Sequence, residues 1–180
     1  MLNPWKYSRY AAIGASHSHR GNLCGICNHY HIVVDVAFLP LTAAGVDRAL
    51  TMMVQLYAGN MKYDPAVARA AIEWLIDNDA CGAAWFIEAG GKTAGYLVLT
   101  IGYSLEFHGR YGLLDELFVE EAFRGQGIGS QALAFAEEVC RLRGLRALRL
   151  EVGRANPRAQ SLYNRTGFEV HDRNLMTKWL

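Results

Sequence analysis

The chain has 180 residues, of which 52% are hydrophobic and 19% are charged, and its formal net charge at pH 7 is +1. This length suits one domain with a buried core, and the composition excludes a chain that is disordered throughout. A charge balance this close to zero argues against bulk nucleic-acid binding, and no apolar stretch approaches the roughly 20 residues that span a bilayer. We therefore expect a soluble cytoplasmic protein with neither nucleic acid nor membrane as a partner.

The placement of charged residues and cysteines indicates what kind of ligand and which cellular compartment to expect. Residues 1–123 hold 8 Lys and Arg against 12 Asp and Glu, whereas residues 124–180 hold 10 against 5. The basic C-terminal third is compatible with a local patch that binds a phosphorylated small molecule. The 4 cysteines are too sparse for a disulfide framework, and the N-terminus lacks a secretory leader, so we expect a reducing compartment.

The first 36 residues differ from the rest, because Asn, His, Ser, Gly, Tyr and Cys dominate them, and residues 15–31 show neither helical nor strand periodicity. They contain residue types that can bind Zn²⁺, namely His17, His19, Cys24, Cys27, His29 and His31. A single Cys-x-x-Cys pair has little specificity. We interpret residues 1–32 as a flexible N-terminal extension and expect no metal, with a zinc site as the alternative.

The first half of the remaining chain predicts a strand, two helices and a meander. A strand is expected over residues 33–39, and Thr42 is expected to cap the first helix. Pro65 after Asp64 is typical of a second helix start. Strands are then predicted over residues 84–88, 94–101 and 113–119, the first two joined by a turn at Gly90-Gly91.

The second half alternates helix and strand. A helix is predicted over residues 129–142, with Gly144 as its stop, followed by a strand over 145–152 and a helix over 157–165. Closing strands are expected over residues 168–170 and 175–179. This order indicates one mixed α/β domain over residues 33–180.

A glycine-rich loop, Arg124-Gly125-Gln126-Gly127-Ile128-Gly129-Ser130, joins a predicted strand to a predicted helix. Alternate glycines let the backbone approach a ligand, and the helix N-terminus adds the positive end of its dipole. The third glycine of a Rossmann fingerprint would fall at Ser130, and no Gly-Lys-Ser/Thr of a Walker A loop follows. The loop is a candidate anion cradle, and a tight turn without a ligand is the alternative.

Two motifs resemble the GNAT superfamily of acyl-CoA-dependent N-acetyltransferases. Arg124-x-x-Gly127-x-Gly129 is similar to its pyrophosphate loop, and Asn156-Pro157-x-Ala159-x-x-Leu162-Tyr163-x-x-x-Gly167-Phe168 is similar to its later motif. The resemblance implies a GNAT-like fold, a mixed and mostly antiparallel central sheet flanked by helices. Residues 114–119 are most similar to small-amine and polyamine acetyltransferases.

The resemblance also implies roles for single residues, with acetyl-CoA as the cosubstrate. The backbone of Leu117, Phe118 and Val119 would pair with the pantetheine amides, and Asn156 would hydrogen-bond the same arm. Tyr163 would protonate the departing thiolate, and its alternative is a packing role. The CoA pyrophosphate would be held by Arg124 and by the N–H groups of Gly125, Gln126, Gly127, Ile128, Gly129 and Ser130.

Acetyl transfer to nitrogen needs a neutral amine, but an alkyl amine of pKa about 10.4 is almost fully protonated at pH 7. Asp115 and Glu116 lie on the predicted strand beside the thioester site, which makes them the candidate bases. Because alternate strand residues face opposite sides, only one should point into the cleft unless a bulge intervenes. The sequence does not decide between them, and a solvated strand end is the alternative for both.

Together these residues predict an enzyme that moves an acetyl group from acetyl-CoA to a primary amine by direct attack in a ternary complex. Acidic residues favour a small cationic amine as the acceptor, and the candidate acceptor contacts are Tyr103, Phe107, His108 and Tyr111. The acidic set is Glu106, Asp115, Glu116, Glu120 and Glu121. The alternative is a non-catalytic module that binds CoA or a partner protein. The identity of the amine and the existence of a homodimer stay open.

Overall fold

One five-stranded sheet forms the centre of the computed structural model, which describes residues 34–58 and 63–179. Its strands follow one another in space as they do in the chain: β1 (Val36–Pro40), β2 (Gly82–Ala89), β3 (Lys92–Ser104), β4 (Gly109–Val119) and β5 (Leu148–Leu150). Neighbours are antiparallel from β1 to β4, and β5 runs parallel to β4. The predicted mixed, mostly antiparallel sheet flanked by helices is confirmed.

The described residues form four α-helices, α1 (Val46–Leu56), α2 (Pro65–Asp77), α3 (Ile128–Leu142) and α4 (Pro157–Arg165). The Asp64 side chain accepts hydrogen bonds from the N–H groups of Ala66 and Val67, so the predicted start of α2 is confirmed. Thr42 makes no such bond, because a short 3-10 turn at Ala43–Gly45 precedes α1. The predicted Thr42 cap is therefore wrong.

The helices cover both faces of the sheet. Side chains alternate between the two faces of a strand. Tyr96, Val98 and Phe118 face α1 and α2, where they join one apolar core. Leu97 and Leu99 face α3 and belong to a second core on the opposite side. β3 is thus buried on both faces and fixes the position of β4 beside it.

β4 carries a bulge just beyond its last pair with β5. Val98 pairs with Glu116 and Leu99 pairs with Leu114, which leaves Asp115 as an extra residue on β4. The ladder between β4 and β5 ends at the pair of Leu114 and Leu150. β5 ends at this pair, so the part of β4 that follows the bulge has no β5 residue paired with it.

The C-terminal predictions need correction. The strand predicted over residues 145–152 is reduced to β5, and residues 168–179 contain no strand, so the two predicted closing strands are wrong. Their apolar residues suggested strands, but the short β5 offers only three residues for pairing. Leu175 and Met176 remain 72% and 89% exposed. An ion pair at 2.7 Å between Arg173 and Glu106 joins this segment to the β3–β4 turn.

Two expectations concern residues outside the described part of the chain. The His and Cys cluster at residues 17–31 lies there, and so does the predicted boundary after residue 32. Within residues 34–58 and 63–179, no helix combines the length and the apolar character that crossing a bilayer requires.

Candidate functional site

The glycine loop between β4 and α3 has a backbone conformation that depends on glycine. Gly125 and Gly127 adopt φ values of +82° and +79°, and a Cβ atom at either position would meet no atom within 4 Å. Glycine is therefore needed for the backbone conformation and not for space. No side chain caps α3, so the N–H groups of its first turn, from Ile128 to Ser130, point out of the helix end without a capping acceptor.

Arg124 fixes the loop to the end of β4. Its Nε donates a hydrogen bond to the Val119 carbonyl at 2.8 Å, and its guanidinium lies 5.9 Å from the centre of the Phe118 ring. The Gln126 amide donates to the Ala122 carbonyl at 3.1 Å. The loop is thus held at the C-terminal end of β4, with the Arg124 side chain exposed beside it.

The three β4 residues predicted to pair with the pantetheine arm lie beyond the last β4–β5 pair. Phe118 is 5% exposed and packs towards α1 and α2, whereas Leu117 and Val119 pack against the core under α3. Since no β5 residue pairs with Leu117, Phe118 or Val119, their backbone forms an unpaired edge of β4 on the β5 side. An extended ligand can add to such an edge as an extra strand.

α4 carries Asn156 at its N-terminal cap and Tyr163 in its last turn. Asn156 caps α4 by accepting a hydrogen bond from the Ala159 N–H at 3.1 Å, and this uses only its side-chain oxygen. A Cβ atom on Gly129 would lie 3.0 Å from Leu162, so the missing side chain allows α3 and α4 to approach closely. Tyr163 follows Leu162, packs edge-on against Phe168, and is half-buried. Burial raises the pKa of its hydroxyl.

A cleft of about 1680 Å³ lies between α3, β5, α4 and the segment after α4. Ser130 from the start of α3 and Tyr163 from α4 both line it. The glycine-loop end of α3 and the Tyr163 side chain therefore border the same space, which is larger than the usual pocket for a small ligand.

On the other face of the sheet, Glu116 is surrounded by three tyrosines. The hydroxyl of Tyr57, the residue after α1, donates a short hydrogen bond to Glu116 Oε1. The Tyr63 ring stacks on Tyr57 at 5.4 Å between centroids. Tyr96 on β3 lies diagonally across from Glu116, since it is two residues from Val98, the cross-strand partner of Glu116. These four residues form the tyrosine–glutamate cluster.

The cluster is a low-dielectric environment that shifts the pKa values of its members. Burial raises the pKa of the Glu116 carboxyl, the Tyr57 hydrogen bond and the nearby Tyr96 hydroxyl oppose this rise, and the charge of Asp115 adds to it. Burial and the negative charge of Glu116 raise the pKa values of Tyr57, Tyr63 and Tyr96. The tyrosines therefore keep their protons, and Glu116 is a stronger base than an exposed carboxylate.

The bulge decides how the two candidate bases are placed. Glu116, opposite Val98, faces α1 and α2 together with Tyr96. Asp115 is the unpaired bulge residue and is exposed, although loss of hydration raises the pKa of its carboxyl. Of the two, only Glu116 accepts a side-chain hydrogen bond from α1.

The predicted acceptor contacts at the β3–β4 turn do not meet Glu116. Tyr103 lies five residues along β3 from Val98, or about 16 Å at 3.3 Å per residue, and 72% of its surface is exposed. The Arg149 guanidinium stacks on the Phe107 ring at 4.6 Å, which ties the turn to β5. Phe107, His108 and Tyr111 share this remote end of the hairpin.

The sequence analysis missed Tyr57, Tyr63 and Tyr96. Tyr57 falls at the helical spacing of the apolar residues in the first predicted helix, and Tyr96 falls within the predicted strand over residues 94–101, so neither stood out as a site residue. A buried tyrosine normally finds a hydrogen-bond partner for its hydroxyl. That rule was the one signal that could have connected them to a polar group.

Comparison with known proteins matches this chain to N-acetyltransferases. A model described as the Acetyltransferase (GNAT) family matches residues 50–168. An uncharacterized N-acetyltransferase from Methanocaldococcus jannaschii is 30% identical over 156 residues, which span 84% of this chain and 67% of that protein. The thialysine N-epsilon-acetyltransferase of Bos taurus is 36% identical over 93 residues, 48% of this chain and 54% of the bovine protein.

Solved structures match over most of the chain. An integron cassette protein from a salt-marsh metagenome has a TM-score of 0.70 and 30% identity, covering 79% of this chain and 90% of that one. The aminoglycoside N-acetyltransferase AAC(6')-Iy, solved in complex with CoA, has a TM-score of 0.68 and 19% identity over 81% of this chain and 95% of that one. At that identity the second match speaks for the fold alone.

Proposed function

The chain belongs to the acetyltransferase (GNAT) family, and from this premise we propose that it transfers the acetyl group of acetyl-CoA to a small cationic amine by direct attack in a ternary complex. The observation that carries the proposal is the position of Glu116. The residue lies just beyond the last β4–β5 pair, so a half-buried carboxylate adjoins the part of β4 that has no β5 residue paired with it.

The donor would bind along the α3 side. The uncapped N-terminus of α3 and the positive-φ glycines suit the CoA pyrophosphate, and the Arg124 side chain is exposed beside them. The free backbone of Leu117, Phe118 and Val119 suits the pantetheine amides. The amide nitrogen of Asn156 is not used in its helix cap and can donate to the same arm. This arrangement would direct the thioester towards the unpaired β4 edge.

In the reaction, Glu116 would take a proton from the ammonium group of the acceptor and leave a neutral amine. The amine nitrogen would then form a bond to the thioester carbon, and a backbone N–H of residues 117–119 would polarise the thioester oxygen. When the carbon–sulfur bond breaks, the Tyr163 hydroxyl would donate its proton to the thiolate of CoA. The nitrogen would lose its remaining extra proton as the amide forms, and this proton would pass through solvent to restore the Tyr163 hydroxyl. The Tyr163 hydroxyl carries its proton at neutral pH, because the ordinary pKa of a tyrosine is already well above neutrality and burial raises it further.

Two matching proteins carry names that include an amine acceptor, thialysine in one and an aminoglycoside in the other. The chain spans only 54% of the bovine relative and shares 19% identity with the aminoglycoside enzyme. The support for a cationic acceptor within this chain comes from Glu116 and Asp115, two neighbouring carboxylates beside the unpaired β4 edge.

The test is release of free thiol from acetyl-CoA with a panel of polyamines, aminoglycosides, amino acids and N-terminal peptides. We expect turnover with at least one small cationic amine. A protein that binds acetyl-CoA by calorimetry but acetylates no member of the panel would be a non-catalytic CoA-binding module, and the proposal would fail.

A further inference from the structure

The tyrosine–glutamate cluster contains buried polar atoms that lack hydrogen-bond partners. Among the described residues these atoms are Tyr63 Oη, Tyr96 Oη and Glu116 Oε2, and all three belong to this cluster. The Tyr96 hydroxyl is close enough to Glu116 to lower the pKa of its carboxyl, but it makes no hydrogen bond of normal length and angle to it. Tyr57 connects them, because its hydroxyl binds the other oxygen of Glu116 and its ring stacks on Tyr63. Leaving buried polar groups unpaired is unfavourable, so three such atoms at one place call for an explanation.

All three unpaired atoms are oxygens that can accept a hydrogen bond. A primary ammonium group carries three N–H donors, a secondary ammonium carries two, and a quaternary ammonium carries none. The carboxylate of Glu116 adds negative charge, and the rings of Tyr57 and Tyr63 add aromatic faces that attract cations. The donor count and the charge of a primary ammonium match what the cluster lacks.

Burial and position also suit a binding site. Tyr96 is 0% exposed, so its unpaired hydroxyl has no access to bulk water. Tyr57, Tyr63 and Glu116 are each half-buried, which keeps the cluster in contact with the surface beside α1 and α2. Glu116 lies next to the bulge, just beyond the last β4–β5 pair. An ammonium group held here would therefore lie near the unpaired β4 edge.

We propose that Glu116, Tyr63 and Tyr96 form the ammonium subsite of the acceptor and make the enzyme selective for primary amines. Tyr57 is a positioning residue that orients Glu116 through its Oε1 atom. The subsite deepens the proposed function and rests on it, since the bound ammonium is the group that would lose a proton to Glu116. The competing explanation is structural: small rotations would let the tyrosine hydroxyls donate to Glu116 and support the fold without any ligand.

Steady-state kinetics with butylamine and 1,4-diaminobutane separate these explanations. The variants are Tyr63→Phe and Tyr96→Phe, with Thr51→Val as a control that removes a hydroxyl from an exposed residue of α1 without a proposed role. A hydrogen bond to a charged group contributes enough that its loss should raise the amine KM about 10-fold in each cluster variant. The KM for acetyl-CoA and the control should not change.

The melting temperature is the second readout. Removing a hydroxyl without a hydrogen-bond partner should leave the melting temperature unchanged or raise it. Removing a hydroxyl that stabilises the fold should lower the melting temperature. An unchanged amine KM in both cluster variants, or a lower melting temperature without a change in KM, would overturn the proposal.

Calorimetry on the CoA-loaded protein keeps this test independent of turnover. Butylammonium should bind and butyltrimethylammonium should not, and Tyr63→Phe should weaken butylammonium about 10-fold. Equal binding of the two ions would mean that only the aromatic rings attract the cation, and it would contradict the proposed ammonium subsite. Absence of binding by either ion would contradict it as well. If butylammonium binds as expected while no amine is acetylated, the subsite stands and the proposed reaction fails.

Discussion

Glu116 can act as a base only above its own pKa, which burial raises above the usual range of a glutamate carboxyl. Activity should therefore fall as the pH falls through this raised value, because the carboxylate becomes protonated. With Glu116 as the proposed base, the residues that surround it would set the pH range of the reaction. Single-residue variants of this cluster give the most direct tests.

Removing the base should produce a pH-dependent defect. Glu116→Gln should lower kcat/KM about 100-fold or more at neutral pH, and the defect should shrink as the pH rises because free amine becomes available without a base. Asp115→Asn is the matched control, and its effect should be smaller, since Asp115 is exposed at the bulge. A larger effect for Asp115→Asn would indicate that Asp115, and not Glu116, is the base.

Tyr57→Phe should shift the pH profile without abolishing activity. The Tyr57 hydrogen bond lowers the pKa of Glu116, so its removal should raise that pKa and move the acid limb of kcat/KM to higher pH. The measurement is the pH dependence of kcat/KM for the wild type, Tyr57→Phe and the control Thr51→Val, whose hydroxyl lies on an exposed part of α1. An acid limb that stays in place would mean that Tyr57 does not position the base.

Tyr163→Phe removes only the hydroxyl proposed to protonate the thiolate. We expect kcat to fall about 100-fold, while CoA affinity measured by calorimetry stays the same. Because Tyr163 also packs against Phe168, the melting temperature provides the control for a packing defect. An unchanged kcat up to alkaline pH would leave Tyr163 with a packing role only.

At the scale of elements, the β4–loop–α3 unit combines the free strand edge with the uncapped helix end. Its glycines matter for two separable reasons, backbone conformation and access of a ligand to N–H groups. Gly127 and Gly144 lie at opposite ends of α3, have φ values of +79° and +65°, and have open space where a Cβ atom would be. They differ in that only Gly127 belongs to the loop.

Gly127→Asp should lower CoA affinity by at least 10-fold, because it adds negative charge where the backbone would meet phosphate. Gly144→Asp is the matched control, since it carries a similar conformational cost of about 1 kcal/mol. Calorimetry with CoA and the melting temperature of both variants measure the two effects separately. Equal CoA affinity in the two variants would show that the CoA pyrophosphate does not bind to this loop.

At the scale of the whole molecule, the fold is expected not to need residues 1–32. The Val34 carbonyl accepts a hydrogen bond from the Gln131 side chain at 3.2 Å, and Val34 packs against the core under α3, so a deletion should stop before it. The truncated protein should keep its melting temperature and its activity. Loss of the thermal transition, or stoichiometric zinc in the full-length protein by elemental analysis, would instead identify Cys24, Cys27, His29 and His31 as ligands.

Local signals in the sequence determined much of this protein. Asp64-Pro65 marks the start of α2, Gly90-Gly91 turns β2 into β3, and the glycine loop precedes α3. Each of these features depends on the conformational preferences of a few adjacent residues, which a sequence displays directly. The same locality explains why the two motifs of the family could be found.

The tertiary structure decided what depends on contacts between distant residues. The bulge at Asp115 follows from the pairing of β4 with β3, so the sequence could not say which carboxylate faces α1. The C-terminal apolar residues had strand periodicity but found no partner strand. Tyr57, Tyr63 and Tyr96 meet Glu116 because α1, α2 and β3 pack together, and hydrogen bonding across 59 residues leaves no local pattern in the chain.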